Sequence, residues 1–279
     1  MDYKPGGNAF FANGIGLNAK DALSKTLSTN SEDTLLKHQR HLKYFDFVAA
    51  LSQVSGIVMI GLAAYVFGTT NGGLRWNFDA QSANRNVGNI NLHGMLMTTA
   101  LVFLQGEGLI VFRLYRHEGK LVAKTIHTIL HLLSIVLTTG GIIAIIGHKN
   151  LTKDVHFTSH HAWIGLGLLV AQSVHTIVGT VNFWFPKSPP NIQQLVLPAQ
   201  RAVGITLFLA NVGQLLTGTL QYTDSLGDCY DKLTCPKKLD LFLNLSVVAT
   251  LCYAVCVCAL LRQSQWRRQR TPEEDEKQD

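Results

Sequence analysis

Apolar and polar positions along the chain fall into long apolar runs separated by short polar connectors. Six runs stand out, at about 46–68, 91–112, 125–147, 162–185, 202–221 and 239–261, each 20 to 24 residues long. A helix needs about 20 apolar residues to cross the hydrocarbon of a bilayer. Helices of soluble proteins carry a polar face, and these runs mostly do not. The pattern predicts an all-α integral membrane protein with six transmembrane helices, not a large soluble helical core. Three segments follow: a polar and basic tract over 1–44, a membrane domain over 45–262 and a charged tail over 263–279. The tract is expected to be flexible, with a short helix starting at Ser31. It lacks the apolar core of a signal peptide, so the first span is expected to remain as an anchor.

Composition sharpens this picture: 47% of residues are hydrophobic and only 15% charged, which no ordinary soluble domain matches. The charges gather at the ends and in connectors. Arg113, Arg116, Lys120 and Lys124 share one connector, and Arg262, Arg267, Arg268 and Arg270 begin the tail. The alternate connectors are poorer in Lys and Arg, with Arg75, Arg85, Lys149 and Lys153, then Lys232, Lys237 and Lys238 diluted by three aspartates. Positive charge stays on the cytoplasmic side, so both termini are expected there. The net charge of +6 thus reflects topology, and no nucleic-acid motif accompanies it. Cys252, Cys256 and Cys258 lie in the last run and read as packing residues. Cys229 and Cys235 share an outer connector, where a small disulfide ring could persist. The sequon Asn150-Leu151-Thr152 also falls outside, close to the third run. The acidic run Glu273–Glu276 reads as a solvated terminus.

The candidate chemistry is histidine. His161 and His175 stand two heptads apart on the fourth run. That spacing leaves them about 40° apart around a helix and ~21 Å apart along it. A histidine inside a span usually faces the bundle interior and has a partner. His93 starts the second run and matches His161 in depth near the outer face. His127 starts the third run from the other side and matches His175 near the inner face. Two outer and two inner histidines suit two bis-imidazole haems, one near each face. Single intramembrane histidines often only bond across helices, but that does not account for four at two matched depths. A histidine-lined metal-ion path would want carboxylates beside the imidazoles, and here the main intramembrane acid is Glu107, two heptads below His93.

The residues resemble the cytochrome b561 family of transmembrane ascorbate-dependent oxidoreductases, from about 46 to 261 and most densely from 89 to 186. His93-Gly94-Met95-Leu96-Met97 and Leu101 to Glu107 look like the family's second span. Ile110 to Arg116 is similar to its cytosolic ascorbate motif, and Lys124 to His131 to its Lys-x-x-His-x-x-x-His. Ser159-His160-His161-Ala162-Trp163 resembles its Ser-Leu-His-Ser-Trp. The resemblance implies two haem b groups within a four-helix core of spans two to five. It implies His93 and His161 as outer ligands, and His127 with a fifth-span histidine as inner ones. Here the chain departs: Gln200 stands where that histidine should be, and no histidine follows it. His175 occupies a position that is often glutamine in the family. Three outcomes are open: His175 supplies the ligand, His127 binds alone, or the inner haem is absent.

The expected function is electron transfer across the membrane from cytosolic ascorbate to monodehydroascorbate radical or a ferric chelate, as a ferrireductase or monodehydroascorbate reductase. Arg113, Arg116, Lys120 and Lys124 are the candidate ascorbate contacts, and positive-inside bias alone also accounts for them. His148, with His156 and Lys149, is the candidate contact for the outer acceptor. The implied partners are those small molecules, the lipid bilayer and a second copy of the chain in a homodimer, with no nucleic acid. An endomembrane vesicle, a lysosome-like organelle or the plasma membrane would suit. The alternatives are a quinone-linked membrane cytochrome subunit, a haem-free histidine-lined metal-ion transporter, and a one-haem homologue acting as partner or scaffold.

Overall fold

The computed structural model describes residues 11–70, 72–77 and 88–268. Arg85, Arg270 and the acidic run at 273–276 lie outside them. Six helices are long and apolar enough to cross a membrane, spanning Leu42–Thr69, Asn89–Leu114, Lys120–Thr152, His160–Phe183, Pro190–Asp224 and Pro236–Arg262. The helices themselves are α1 (Phe11–Thr69), α2 (Asn89–Leu114), α3 (Lys120–Thr152), α4 (His160–Phe183), α5 (Pro190–Leu226) and α6 (Leu239–Arg262). No strand occurs among the described residues. The chain divides into the units Met1–Phe47 and Val48–Asp279, and the packing below belongs to the second.

Two boundaries differ from expectation. α1 begins at Phe11, inside the tract expected to be flexible. From Leu17 to Ser55 there is neither glycine nor proline to interrupt it. α5 starts at Pro190, well before the apolar run at 202, and carries Pro198 inside it. A proline in the first turn costs nothing because its missing N–H would be unpaired there anyway. The connector expected over 186–201 thereby shrinks, and Gln200 becomes a helical residue facing α4.

α2 is not uniform. Asn89–Met97 and Gln105–Leu114 are α-helical, and Thr98–Leu104 between them is a π-helix. The wider turn loosens the hydrogen-bond ladder, and polar side chains compensate. Thr98 and Thr99 donate to Gly94 O at 2.8 Å and Met95 O at 2.9 Å. Ser134 of α3, itself buried, donates to Ala100 O at 2.9 Å.

α2 packs closely on α3, α4 on α5, and α6 on α2 and α5. α4 approaches α2 and α3 less closely, and no α4 residue is fully buried. Long side chains bridge that seam, histidines and glutamines among them. Trp163, Ile164, Val170, Val174 and Ile177 of α4 are exposed. Such a continuous apolar face suits lipid.

The start of α2 is pinned where it leaves the connector from α1. Asn91 Nδ2 donates to Thr70 O at 2.7 Å and Gly73 O at 3.1 Å, while Tyr222 of α5 donates to Asn91 Oδ1 at 3.0 Å. A cluster of Ala63, Val66, Phe67, Tyr222 and Leu243 packs beneath. Together they hold His93, half a turn further on. At the same end of the bundle a disulfide joins Cys229 and Cys235, whose Cα atoms are 4.6 Å apart. At the opposite end Arg113 Nη2 donates to Leu261 O at 2.8 Å and Nη1 to Gln263 O. These carbonyls end α6 and would otherwise lack donors.

Candidate metal centres in the seam

His93 of α2 and His161 of α4 face each other across the seam, ring centres 6.3 Å apart and planes at 85°. Two imidazoles holding one metal ion by Nε2, each at about 2 Å, place their ring centres roughly 6 Å apart. The tautomer of His93 agrees with that use. His93 Nδ1 is 2.9 Å from Gly141 O. A carbonyl can only accept, so Nδ1 carries the proton and Nε2 keeps its lone pair. His161 Nδ1 is 3.0 Å from Thr217 Oγ1, and that hydroxyl donates its own proton to Gln214 O at 2.8 Å. Its oxygen can therefore accept from His161 Nδ1–H, whereas the Gln214 amide nitrogen suits the tautomer with Nδ1 unprotonated. Gln214 Nε2 donates to His161 O at 2.6 Å and lies 3.0 Å from Nδ1. Ser159 caps α4 by accepting from Ala162 N at 3.2 Å, which fixes His161 in the first turn.

Gly218 forms the floor under the His161 ring. A Cβ there would lie 2.8 Å from His161 Cε1 and 3.3 Å from Nδ1. Gly218→Val should therefore push the ring out of line and remove the spectroscopic signature of any metal that His161 binds, with the chain still inserted. An unchanged reduced spectrum in that variant would contradict the placement.

The same construction recurs deeper in the bundle. His127 of α3 places Nδ1 2.7 Å from Gly108 O, as His93 does with Gly141. Gly141 follows His127 by two heptads, and Gly108 follows His93 by two heptads and one further position. The π-helical stretch of α2 accommodates the extra residue. On α4 and α5 the repeat is closer still. His175 lies two heptads after His161, while Gln200 and Gly204 lie two heptads before Gln214 and Gly218 on the antiparallel helix. Gln200 Nε2 donates to His175 O at 3.1 Å, as Gln214 does to His161 O, and a Cβ on Gly204 would lie 3.4 Å from His175 Nε2.

The level of His127 and His175 is nevertheless less closed than that of His93 and His161. The rings nearest His127 are Phe112 at 5.4 Å and His131 at 4.4 Å, centre to centre, and not His175. His175 Nε2 lies 3.3 Å from Gln200 Nε2, so the nitrogen a metal would use faces the amide. Val203 takes the place of Thr217 in the repeat, so no hydroxyl is available to His175 from that position.

Between the two levels lies an amide chain, of which only Gln105 falls in a family-like motif. Asn211 Nδ2 donates to Gln105 Oε1 at 2.7 Å, and Gln105 Nε2 to Gln172 Oε1 at 3.1 Å. It joins α5, α2 and α4. Three amides inside apolar runs were the available signal.

The basic residues expected to hold an anion divide. Arg113 gives both terminal nitrogens to the end of α6. Lys124 donates to Phe183 O and stands 4.1 Å over the Trp184 ring, whose Nε1 donates to Thr128 Oγ1 at 2.6 Å. Arg116 Nε donates to His117 Nε2 at 3.0 Å, and Lys120 is the exposed first residue of α3. At the disulfide end His148 lies inside α3, not in the connector, with Nδ1 buried and without a hydrogen-bond partner. His156 Nε2 pairs with Asn150 Oδ1 at 3.0 Å. Thr152 and Lys149 hold the Asp154 carboxyl below its usual range, Lys149 at 3.6 Å.

The chain is similar in sequence to known proteins. The family model for eukaryotic cytochrome b561 matches residues 92–224. A Caenorhabditis elegans protein named putative transmembrane ascorbate-dependent reductase CYB561 homolog is 30% identical over 252 residues, 86% of this chain and 91% of its own. The human transmembrane ascorbate-dependent reductase CYB561 is 28% identical over 229 residues, 82% of this chain and 87% of its own. The mouse plasma membrane ascorbate-dependent reductase CYBRD1 is 27% identical over 202 residues, 72% of this chain and 67% of its own.

Proposed function

Given that the chain belongs to the cytochrome b561 family and is a multi-pass membrane oxidoreductase that transfers electrons across the bilayer, we propose that ascorbate is its donor and that two haem b groups carry the electrons. His93 and His161 hold one haem, His127 and His175 the other. The observation that supports this reading most is the His93–His161 pair, 6.3 Å apart with each Nδ1 bonded to protein. When bound, a bis-imidazole haem supplies one-electron exchange at a potential set by its ligands and their surroundings. The chain's part is to fix two levels in the seam, orient four rings and keep water from the path between them.

The end of the bundle that carries Arg113 to Lys124 is the cytosolic, donor-facing end. Arg116 and Lys120 attract the ascorbate anion there, and Lys124 braces Trp184 at the mouth of the seam. Arg113 is left out of that set because it holds α6. The disulfide end is the acceptor side, serving monodehydroascorbate radical or a ferric chelate, and the buried Nδ1 of His148 lies behind that surface.

Vesicles carrying the purified protein, with ascorbate enclosed and a ferric chelate plus a ferrous trap outside, should reduce the outer iron. Haem analysis should return two groups per chain. Colourless protein, or reduction only by a quinol, would reject the reading. Arg116→Ala together with Lys120→Ala should weaken ascorbate about tenfold in KM, the scale of one charge-assisted hydrogen bond, while haem content stays the same. An unchanged KM would remove these two residues from the donor site.

A further inference from the structure

Glu107 lies inside the membrane span of α2 and plays no part in the histidine pairs. It follows His93 by two heptads and immediately precedes Gly108, whose carbonyl orients His127. Its carboxyl group turns the other way, toward α1 and α6. Gln53 Nε2 stands 3.1 and 3.0 Å from the two carboxyl oxygens, and Tyr253 Oη stands 3.0 Å from Oε1. Neither partner is a cation. An acid inside a span with only neutral donors is costly to keep ionised and marks a functional site more often than a structural one.

Counting protons makes the point sharper. Tyr253, fully buried, also has its hydroxyl 3.0 Å from Phe103 O in the π-helical stretch. One hydroxyl proton cannot serve both Phe103 O and an ionised Glu107. With a proton on Glu107 Oε1 both contacts are satisfied: Glu107 donates to Tyr253 Oη, and Tyr253 donates to Phe103 O. With Glu107 ionised, Tyr253 can donate to only one of Phe103 O and Glu107 Oε1, and Gln53 remains the other donor to the carboxylate. The pocket therefore gives the neutral acid one hydrogen bond more than the anion.

We propose that Glu107 is a redox-linked proton site, which binds one proton when an electron enters the inner centre at His127 and releases it when the electron leaves. The inference rests on the two-haem reading above. The electron adds one negative charge to an interior of low dielectric. The proton, drawn from water at the basic end of the bundle, forms one O–H bond on Glu107 and restores the charge of the pair of sites. Other titratable groups around α2 are placed differently. Tyr253 of α6 is the one that bonds Glu107, and α1 presents the neutral Gln53. From α3, His127 and His131 reach α2 at Gly108. From α5, Phe208 packs on Tyr253 at 6.3 Å. Arg113 lies further along α2 and bonds the end of α6.

Spectroelectrochemical titration of the haem-loaded protein between about pH 5 and 8 tests this. Because the reduced state binds the extra proton, the midpoint of one centre should fall as pH rises, approaching about 59 mV per pH unit, the tenfold equivalent for one electron. Glu107→Gln keeps the shape and cannot ionise. Its centre should stay at the upper plateau with no slope. A slope that persists in Glu107→Gln, or a wild-type midpoint independent of pH, would overturn the proposal. The wild type alone gives a second answer, since reduction should produce a carboxylic-acid carbonyl band in the infrared difference spectrum, and its absence counts against Glu107. Failure of the underlying reading looks different: a single low-spin centre in the wild type defeats the two-haem assignment, whereas two centres with an unaltered slope in Glu107→Gln defeat only the proton site.

Discussion

Replacing His93 or His161 by alanine should remove one of two low-spin haem signals and leave the other, together with halved haem content in a chain that still inserts. On the proposed two-haem reading each ring would supply one nitrogen, and no other histidine ring lies within ring-contact distance of that pair among the described residues. With one ring lost, the remaining histidine alone would hold that haem, and the centre should become high-spin or empty. Transmembrane transfer should fall with it, because the electron then lacks its outer station. Thr217→Val is the milder companion. It removes the hydroxyl beside His161 Nδ1 and leaves the ring in place, so on the proposed reading haem affinity at that site should drop by about 10- to 100-fold, as for other partners of metal-bound histidines. Absorption and electron paramagnetic resonance spectra read both. Unchanged reduced spectra in His93→Ala and His161→Ala together would refute the assignment.

His175→Ala is expected to convert the second low-spin centre to high-spin or abolish it, and Gln200→His should restore it in the double variant. The packing explains the rescue. Positions 175 and 200 touch across α4 and α5, with the two Nε2 atoms 3.3 Å apart. An imidazole on α5 can thus reach the same space as one on α4. Glutamine itself is a poor haem ligand because its amide oxygen is a weak donor beside imidazole. For His175 to use Nε2, the Gln200 amide must turn aside, so Gln200→Ala should leave the centre low-spin. Two low-spin haems persisting in His175→Ala would show that this histidine is not a ligand. A double variant that stays high-spin would show that position 200 cannot stand in for 175.

These two experiments probe sites of unequal legibility. His93 and His161 could be matched from sequence because helix rise is constant and both begin their spans at one face. Their tautomers could not, since Gly141 is 48 residues from His93 and Thr217 is 56 from His161. The inner pair depended on more than depth. Hydropathy put the start of the fifth span near 202, yet α5 begins at Pro190, and only that early start makes Gln200 a helical neighbour of His175.

The sequence by itself determined the number of spans, their order and that His93 and His161 begin theirs at one end of the bundle. Solvation by lipid acts residue by residue along a helix, so a run of apolar side chains carries that information locally. Membership of the family was also present in short motifs. Tertiary structure alone decided what polar side chains inside those runs do. Arg113 ties α2 to the end of α6, 150 residues away, though its position invites a substrate role. Lys124 rests on Trp184, and Glu107 meets Gln53 and Tyr253. The π-helical turn at Thr98–Leu104 is equally invisible to hydropathy, because it shifts register by one residue without changing polarity. A buried polar group must find its partner wherever the fold brings one, and that partner is set by contacts between helices, which no local pattern contains.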